Sequence, residues 1–477
     1  MRQPAKPGRI AGLRFRIVFM LLLAVLLSCC AYTSERPRHI VFPAHPEGMG
    51  KNPYIGYAMD SERDAEDRDT DLIYVETSFR EISPAERCFD FEALETRCRL
   101  KQWQALGKHI VLRFVMDNPS EAAHCDIPDW LRGRLRGGRE YSTEYGRGFA
   151  PDYTEEALIE AHREAILALG EYFSGYEDPA HRNPDFVAYV ELGSLGHWGE
   201  WHVLADAGLP EMPLASVRRR YIEPYEAAFP KARLLLRRPF TERPDRAGVY
   251  NDVSGNPEGT EEWLSWIAEG GAYDQTGEED GLRAAGALWE SAPVGGELTS
   301  AIPLRSMLLR HFNRTRALLM KSHASFLGPM IPLLSEAKEQ GALSRGEAAR
   351  FCRNADRLES SLGYRYRVRA LEYFPRTGRL VLTIRNDGIA PIYFSYIPCL
   401  YIGAQRLPLS VSLREIPGGE EQALSLSLRE LLPDTEAEKT VYFGIENADD
   451  PRERLSLPMK DGEDGRYPIL TFRERSF

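Results

Sequence analysis

"KHIVLRFVMD" (Lys108–Asp117) is an almost unbroken apolar run, interrupted by Arg113 and closed by an acid. Alternating runs suit strands with one wet face; a continuous one suits a strand buried on both faces, as in a parallel sheet covered by helices. Working outward, "LIYVETSF" (Leu72–Phe79) is a second strand. Between the two lies "FDFEALETRCRLKQWQALG", with Phe91, Leu94 and Cys98 on one helical face and Gly107 as a stop. Downstream, a helical period through Leu158, Ala165, Leu169 and Tyr172 leads to "FVAYVELG" (Phe186–Gly193). "ARLLLRRPF", "AGVYNDVSG", "APVGGELTS" and "RALLMKSHASFLG" continue the strand series, and Pro53–Met59 begins it. Eight strands separated by helices or long loops predict a (β/α)8 TIM barrel. A doubly wound open sheet is the alternative, but no Gly-rich phosphate loop follows an early strand.

After a helical stretch at Arg345–Leu362 the period changes to two. "YRYRVRALEYFPRTGRLVLTIRNDGIAPIYFSYIPCLYIG" alternates between turns at Arg376–Gly378 and Asn386–Gly388, which predicts an antiparallel β-sandwich. The expected organisation is a leader over 1–29, a linker over 30–51, the barrel over 52–363 and the sandwich over 364–477. A net charge of −11 on 477 residues argues against a nucleic-acid partner, which asks for a basic face. At the N-terminus Arg9, Arg14 and Arg16 precede an apolar run, Ile17–Leu27, that is too short to span a bilayer of about 30 Å as a helix. Its end, "LLSCC", resembles the lipobox of bacterial lipoproteins. That resemblance implies export, cleavage before Cys29 and lipidation of Cys29, which would anchor the protein to a membrane of the cell envelope. A plain secretory signal is the alternative. Cys88, Cys98, Cys125, Cys352 and Cys399 show no CxxC and no metal-ligand spacing. Export permits a disulfide from Cys88 to Cys98 or Cys125; buried free thiols fit equally.

The active site of such a barrel lies at the C-terminal ends of its strands. The residues there are Glu76, Asp117 with Asn118, Glu191 with the loop "GSLGHWGEWH" up to His202, Asn251 with Asp252, Glu297, and His323. Acids, amides, histidines and tryptophans without a Ser–His–Asp spacing, HExxH or a dinucleotide fingerprint suit sugar chemistry. Glycoside hydrolysis needs two carboxyl groups, one protonated to help the leaving oxygen depart and one ionised. Aromatic rings offer platforms for sugar faces.

A Glu after the fourth strand and another after the seventh resembles the pattern of the clan A glycoside hydrolases, the retaining barrels related to β-galactosidases. "FREISPAERCFDFEALE" is similar to their second-strand region. More closely, "GSLGHWGEWH", "GVYND", "PVGGE" and the closing sandwich resemble an exported bacterial family of barrel-plus-sandwich proteins, a domain of unknown function described as glycoside-hydrolase-like. The resemblance covers about residues 50–450 and implies a carbohydrate substrate. Clan A enzymes carry Asn immediately before the fourth-strand Glu; here Val190 precedes Glu191, and Gly199 precedes Glu200. Both therefore stand as acid/base candidates. Glu200 is preferred, because Trp198 and Trp201 flank it and would desolvate it, raising its pKa as an acid catalyst requires. Glu191 is then a supporting acid that orients a partner or a sugar hydroxyl; the other reading is that both acids only hydrogen-bond barrel backbone or an arginine such as Arg113. Glu297 follows two glycines and is the expected nucleophile or stabilising carboxylate; a buried acid paired with an arginine is the other reading. Glu191, Trp198, Trp201, His202, Asp117, Asn251, Asp252, His323 and Arg113 are the expected substrate-binding set; simple turn chemistry for Asn251 and Asp252 and a core position for His323 are the other readings. His197, Glu200 and His202 match no standard zinc motif, and no metal or cofactor is expected. A non-catalytic carbohydrate-binding or polysaccharide-assembly lipoprotein is the alternative function, since a fold does not dictate its chemistry.

Overall fold

The computed structural model describes residues 36–45, 50–64, 68–176, 185–428 and 438–473. The leader and lipidation at Cys29 lie outside the described residues. Among the described residues, no helix is long and apolar enough to cross a membrane.

The barrel strands are β1 (Gly56–Asp60), β2 (Leu72–Ser78), β3 (His109–Val115), β4 (Val187–Glu191), β5 (Arg233–Leu236), β6 (Gly248–Ser254), β7 (Val294–Leu298) and β8 (Phe326–Leu327). They form one parallel sheet in the order β7-β6-β5-β4-β3-β2-β1-β8. Its two edges are joined as well: Ser325 N donates to Val294 O at 2.7 Å and Gly328 N to Gly296 O at 2.8 Å. All seven residues of β3 are buried, as its unbroken apolar run requires. Outside the sheet, the helix Glu156–Ser174 turns Leu158, Ile159, Ala165, Ile166, Leu169 and Phe173 inward. Fully burying each of the larger side chains stabilises the fold by about 1.5–3 kcal/mol. The β5–β6 connection carries no helix, nor does the described part of the β1–β2 connection.

Side chains two apart on a strand share a face. Inside the ring, Tyr74 is followed by Glu76, Val111 by Arg113, Tyr189 by Glu191, Tyr250 by Asp252 and Gly295 by Glu297. The first member of each pair up to Tyr250 belongs to one apolar cluster filling the ring. The second members stand one layer nearer the C-terminal mouth. The polar site therefore rests on an aromatic floor.

The same apolar cluster continues out of the opposite end of the ring into the C-terminal region. That region holds two four-stranded antiparallel sheets. One is ordered Arg38–Val41, Tyr366–Phe374, Arg379–Asn386, Glu421–Ser427; the other is ordered Gln405–Pro408, Tyr396–Ile402, Glu438–Asn447, Tyr467–Arg473. Two features differ from the sequence reading. The stretch expected as a linker contains a strand, in which Arg38–Val41 pairs antiparallel with Tyr373–Ala370. The C-terminal sheets do not keep an isolated core: Tyr54 stacks on Phe394 at 3.7 Å, Tyr364 Oη donates to Pro53 O at 2.9 Å, and Arg233 Nη2 donates to Tyr393 O at 2.5 Å. They plug the end of the ring away from the site. Cys88, Cys98, Cys125, Cys352 and Cys399 are free thiols.

Candidate active site

The loop after β4 folds as it does because of its glycines. Gly196 (φ 78°) and Gly199 (φ 72°) take left-handed conformations. A Cβ at Gly199 would collide with the carbonyl oxygen of Gly193, and one at Gly196 with that of His202. Trp198 (φ 52°) and Trp201 (φ 59°) are also left-handed, a conformation that costs energy for a bulky residue. The resulting tight double turn points the two tryptophans in different directions. Trp201 is buried, stacks on Phe240 at 4.7 Å and donates from Nε1 to Leu192 O at 2.6 Å. Trp198 is half-buried and lines a cleft at the C-terminal mouth.

This cleft has a volume of about 380 Å³, and Glu76, Arg113, Glu200, Asp252 and Glu297 converge on it. Val253, Thr299, Ser300, Pro329 and Met330 complete its lining. Glu297 enters from β7 where the β7–β6 register shifts between Gly296 and Leu298, and such a bulge re-aims a side chain. Glu200 stands at the end of the 3-10 turn His197–Gly199. The two acids meant to face one another are thus brought into one cavity.

Two guanidinium groups frame them. Arg237 pairs with Asp252 through two parallel contacts, Nε–Oδ1 and Nη2–Oδ2, each 2.8 Å. Burial pushes the Asp252 carboxyl up, but Arg237 outweighs it and holds the group below its ordinary value. Arg113 donates from Nε and Nη2 to Glu191 Oε2 at 3.0 and 2.6 Å, and Tyr74 Oη donates to the same oxygen at 2.7 Å. Glu191 is fully buried and does not line the cleft; it holds Arg113 in place. Arg113 Nη1 lies 4.0 Å from Glu200 Oε1.

Burial, reinforced by the Asp252 carboxylate, pushes Glu200 up from 4.5 to about 8, against the pull of Arg237 and Arg113. Burial likewise pushes Glu297 well up; Arg113 opposes this, and the charges of Glu200, Glu191 and Asp252 add to it. A carboxyl raised on folding favours the folded state below the ordinary carboxylate range, and that contribution is lost as pH rises from about 4.5 toward 8. Glu200→Gln is therefore expected to raise Tm at the alkaline end of that window and to leave it unchanged at the acid end. Equal Tm values for parent and variant at both ends would contradict this assignment of burial and charge.

The other expected residues fall in three places. Asp252 lines the cleft. His202 lies next to it, its Nδ1 3.9 Å from Glu200 Oε2, and burial pushes it down to about 3, so the ring is neutral. Asp117 and Asn251 are fully buried away from the cleft. Asp117 accepts from Tyr141 Oη at 2.6 Å, pairs with His197 Nδ1 at 2.8 Å, and its carbonyl takes the Trp198 N–H at 2.8 Å; it braces the loop. Asn251 accepts from Val253 N at 3.0 Å and shapes the turn after β6. His323 corrects the sequence reading. "RALLMK" is the end of a helix, Phe312–Lys321, and β8 is the two-residue Phe326–Leu327, so His323 precedes the strand instead of following it. It sits at the plugged end, stacked on Trp289 at 3.6 Å and donating from Nδ1 to Ile389 O at 2.6 Å. Sequence reasoning missed Arg237, although its position just after β5 was the available signal, and left the strand-end acid Glu76 without a role.

No protein-family model and no curated protein sequence matches the chain. Among solved structures it is similar to a psychrophilic glycoside hydrolase family 10 endo-β-1,4-xylanase, at 12% identity over 64% of this chain and 82% of that one, TM-score 0.34. It is similar to an intracellular xylanase from Thermoanaerobacterium saccharolyticum, at 10% identity over 66% and 86%, TM-score 0.34. It is also similar to the debranching enzyme of Nostoc punctiforme, at 11% identity over 76% and 87%, TM-score 0.33.

Proposed function

We propose that the protein is a retaining glycoside hydrolase acting on an extracellular poly- or oligosaccharide. The observation that carries this reading is the convergence of Glu200 and Glu297 on one Trp198-lined cleft at the mouth of a parallel barrel. Glu200, raised to about 8, carries the proton that the leaving oxygen needs. The Glu297 carboxylate, opposite Arg113, attacks the anomeric carbon as the glycosidic C–O bond breaks and Glu200 releases its proton to the departing oxygen. Water, deprotonated by Glu200, then hydrolyses the glycosyl ester. Asp252, fixed by Arg237, accepts from sugar hydroxyls. The two C-terminal sheets are read as a sandwich that seals the ring, and the "LLSCC" leader as an envelope anchor through lipidated Cys29.

One observation favours a second reading, a non-catalytic carbohydrate-binding lipoprotein: both Glu200 and Glu297 are pushed up, whereas hydrolysis needs one ionised. Release of reducing ends decides between them. Purified protein lacking residues 1–29, assayed on aryl glycosides and bacterial exopolysaccharides, is expected to cleave at least one. Binding without cleavage across the panel would select the second reading.

A further inference from the structure

The charge balance of the cleft, taken with the hydrolase reading on which this step rests, narrows the class of sugar. Glu76, Arg113 and Glu191 stand in register across β2, β3 and β4. Arg113 lies between the two acids, yet its Nε and Nη2 both go to Glu191. Arg237 is committed to Asp252 in the same way. Arg97, which reaches the Glu76 backbone carbonyl at 2.7 Å, spends its other contacts on Glu81 and Glu62. Among the described residues no lysine lines the cleft. Each of these three guanidinium groups thus already has its own acid.

The carboxyl groups of Glu76, Glu200 and Glu297 remain, Glu200 sharing Arg113 at 4.0 Å. Hydrolysis uses two. The third, Glu76, lines the cleft, and among the described residues its carboxyl takes one side-chain hydrogen bond, from Asn118 Nδ2 to Oε1 at 2.7 Å. Among the described residues no hydrogen bond reaches its second oxygen. Burial pushes Glu76 up to about 6 against the pull of Arg113 and Arg97, so near neutral pH it is largely ionised, and among the described residues neither arginine makes an ion pair with it. A uronate or sulfated sugar would bring a further negative charge into a cavity with no uncommitted cation. An ammonium group would do the opposite, giving a charge-assisted hydrogen bond and neutralising the surplus.

We infer that the cleft takes an amino sugar: a glycan whose ring stacks on Trp198 and whose free, protonated amine donates to Glu76. The test is calorimetric binding to Glu297→Gln, a variant that stops turnover, near neutral pH. The probes are glucosamine and galactosamine oligomers, each as a free-amine form and an N-acetylated form of the same linkage. In at least one pair the free-amine form is expected to bind about tenfold or more tighter, as a charge-assisted bond implies. Adding Glu76→Gln should abolish that preference, whereas general attraction of a polycation to an acidic protein would survive it. No free-amine preference in either pair, or a preference untouched by Glu76→Gln, overturns the inference. Cleavage of neutral glycans without such a preference would leave the hydrolase reading standing and sink this one. Selective, Glu76-dependent binding without cleavage by the parent would do the reverse.

Discussion

Replacing Glu297 by glutamine is expected to lower turnover by about 10²–10⁴-fold or more, the scale on which positioned proton-transfer and nucleophilic groups act. An amide matches the carboxyl in shape but can neither ionise nor attack the anomeric carbon. The fold should survive, because Glu297 is pushed well up by burial and by the acids around it, and an uncharged group relieves that repulsion. Steady-state kinetics on any cleaved glycoside, with Tm measured alongside, checks both halves. A fall in turnover accompanied by a fall in Tm would show that the side chain holds structure instead of doing chemistry.

The second large effect is structural. Arg113→Met removes the cation that faces Glu191, whose side chain is completely buried and whose Oε1 already has no hydrogen-bond partner. Breaking a buried pair by removing one member costs about 3–5 kcal/mol, because the remaining charge is left uncompensated. Chemical denaturation should show that loss, and the double variant Arg113→Met/Glu191→Gln should recover much of it. Arg113 also donates from Nη1 to Trp198 O at 3.4 Å, which ties β3 to the loop carrying Glu200. The double variant is therefore expected to regain stability without regaining activity. A loss under about 1 kcal/mol for Arg113→Met would place the pair among interactions of surface strength.

The barrel was legible because its strands are short apolar runs at helix-spaced intervals; Asp252 and Glu297 stand near the ends of such runs, Arg113 interrupts one, and Glu200 lies on the glycine-rich loop that follows another. What escaped was set by contacts distant in sequence. "GHWGEWH" offers two tryptophans that look equivalent; backbone conformations at Trp198 and Trp201 send one into the cleft and the other onto Phe240. Glu191 ends an apolar run just as a catalytic acid would; pairing with Arg113 is one of its open sequence readings, and the contacts of Arg113 and Tyr74, on two other strands, select it. "RALLMKSHASFLG" contains both a helix end and a strand of two residues, so His323 falls before the strand, at the other end of the ring from the site. Arg38–Val41 has its partner more than three hundred residues away, which no local pattern reveals.

In the proposed reaction Glu200 delivers the proton and Glu297 the carboxylate. Turnover of a series of aryl glycosides of graded leaving-group acidity by the parent, Glu200→Gln and Glu191→Gln tests these roles. Glu200→Gln should slow substrates with poor leaving groups steeply and activated ones little, while Glu191→Gln should slow all of them alike. The opposite pattern, with leaving-group dependence in Glu191→Gln and none in Glu200→Gln, would contradict these roles and move the acid to Glu191.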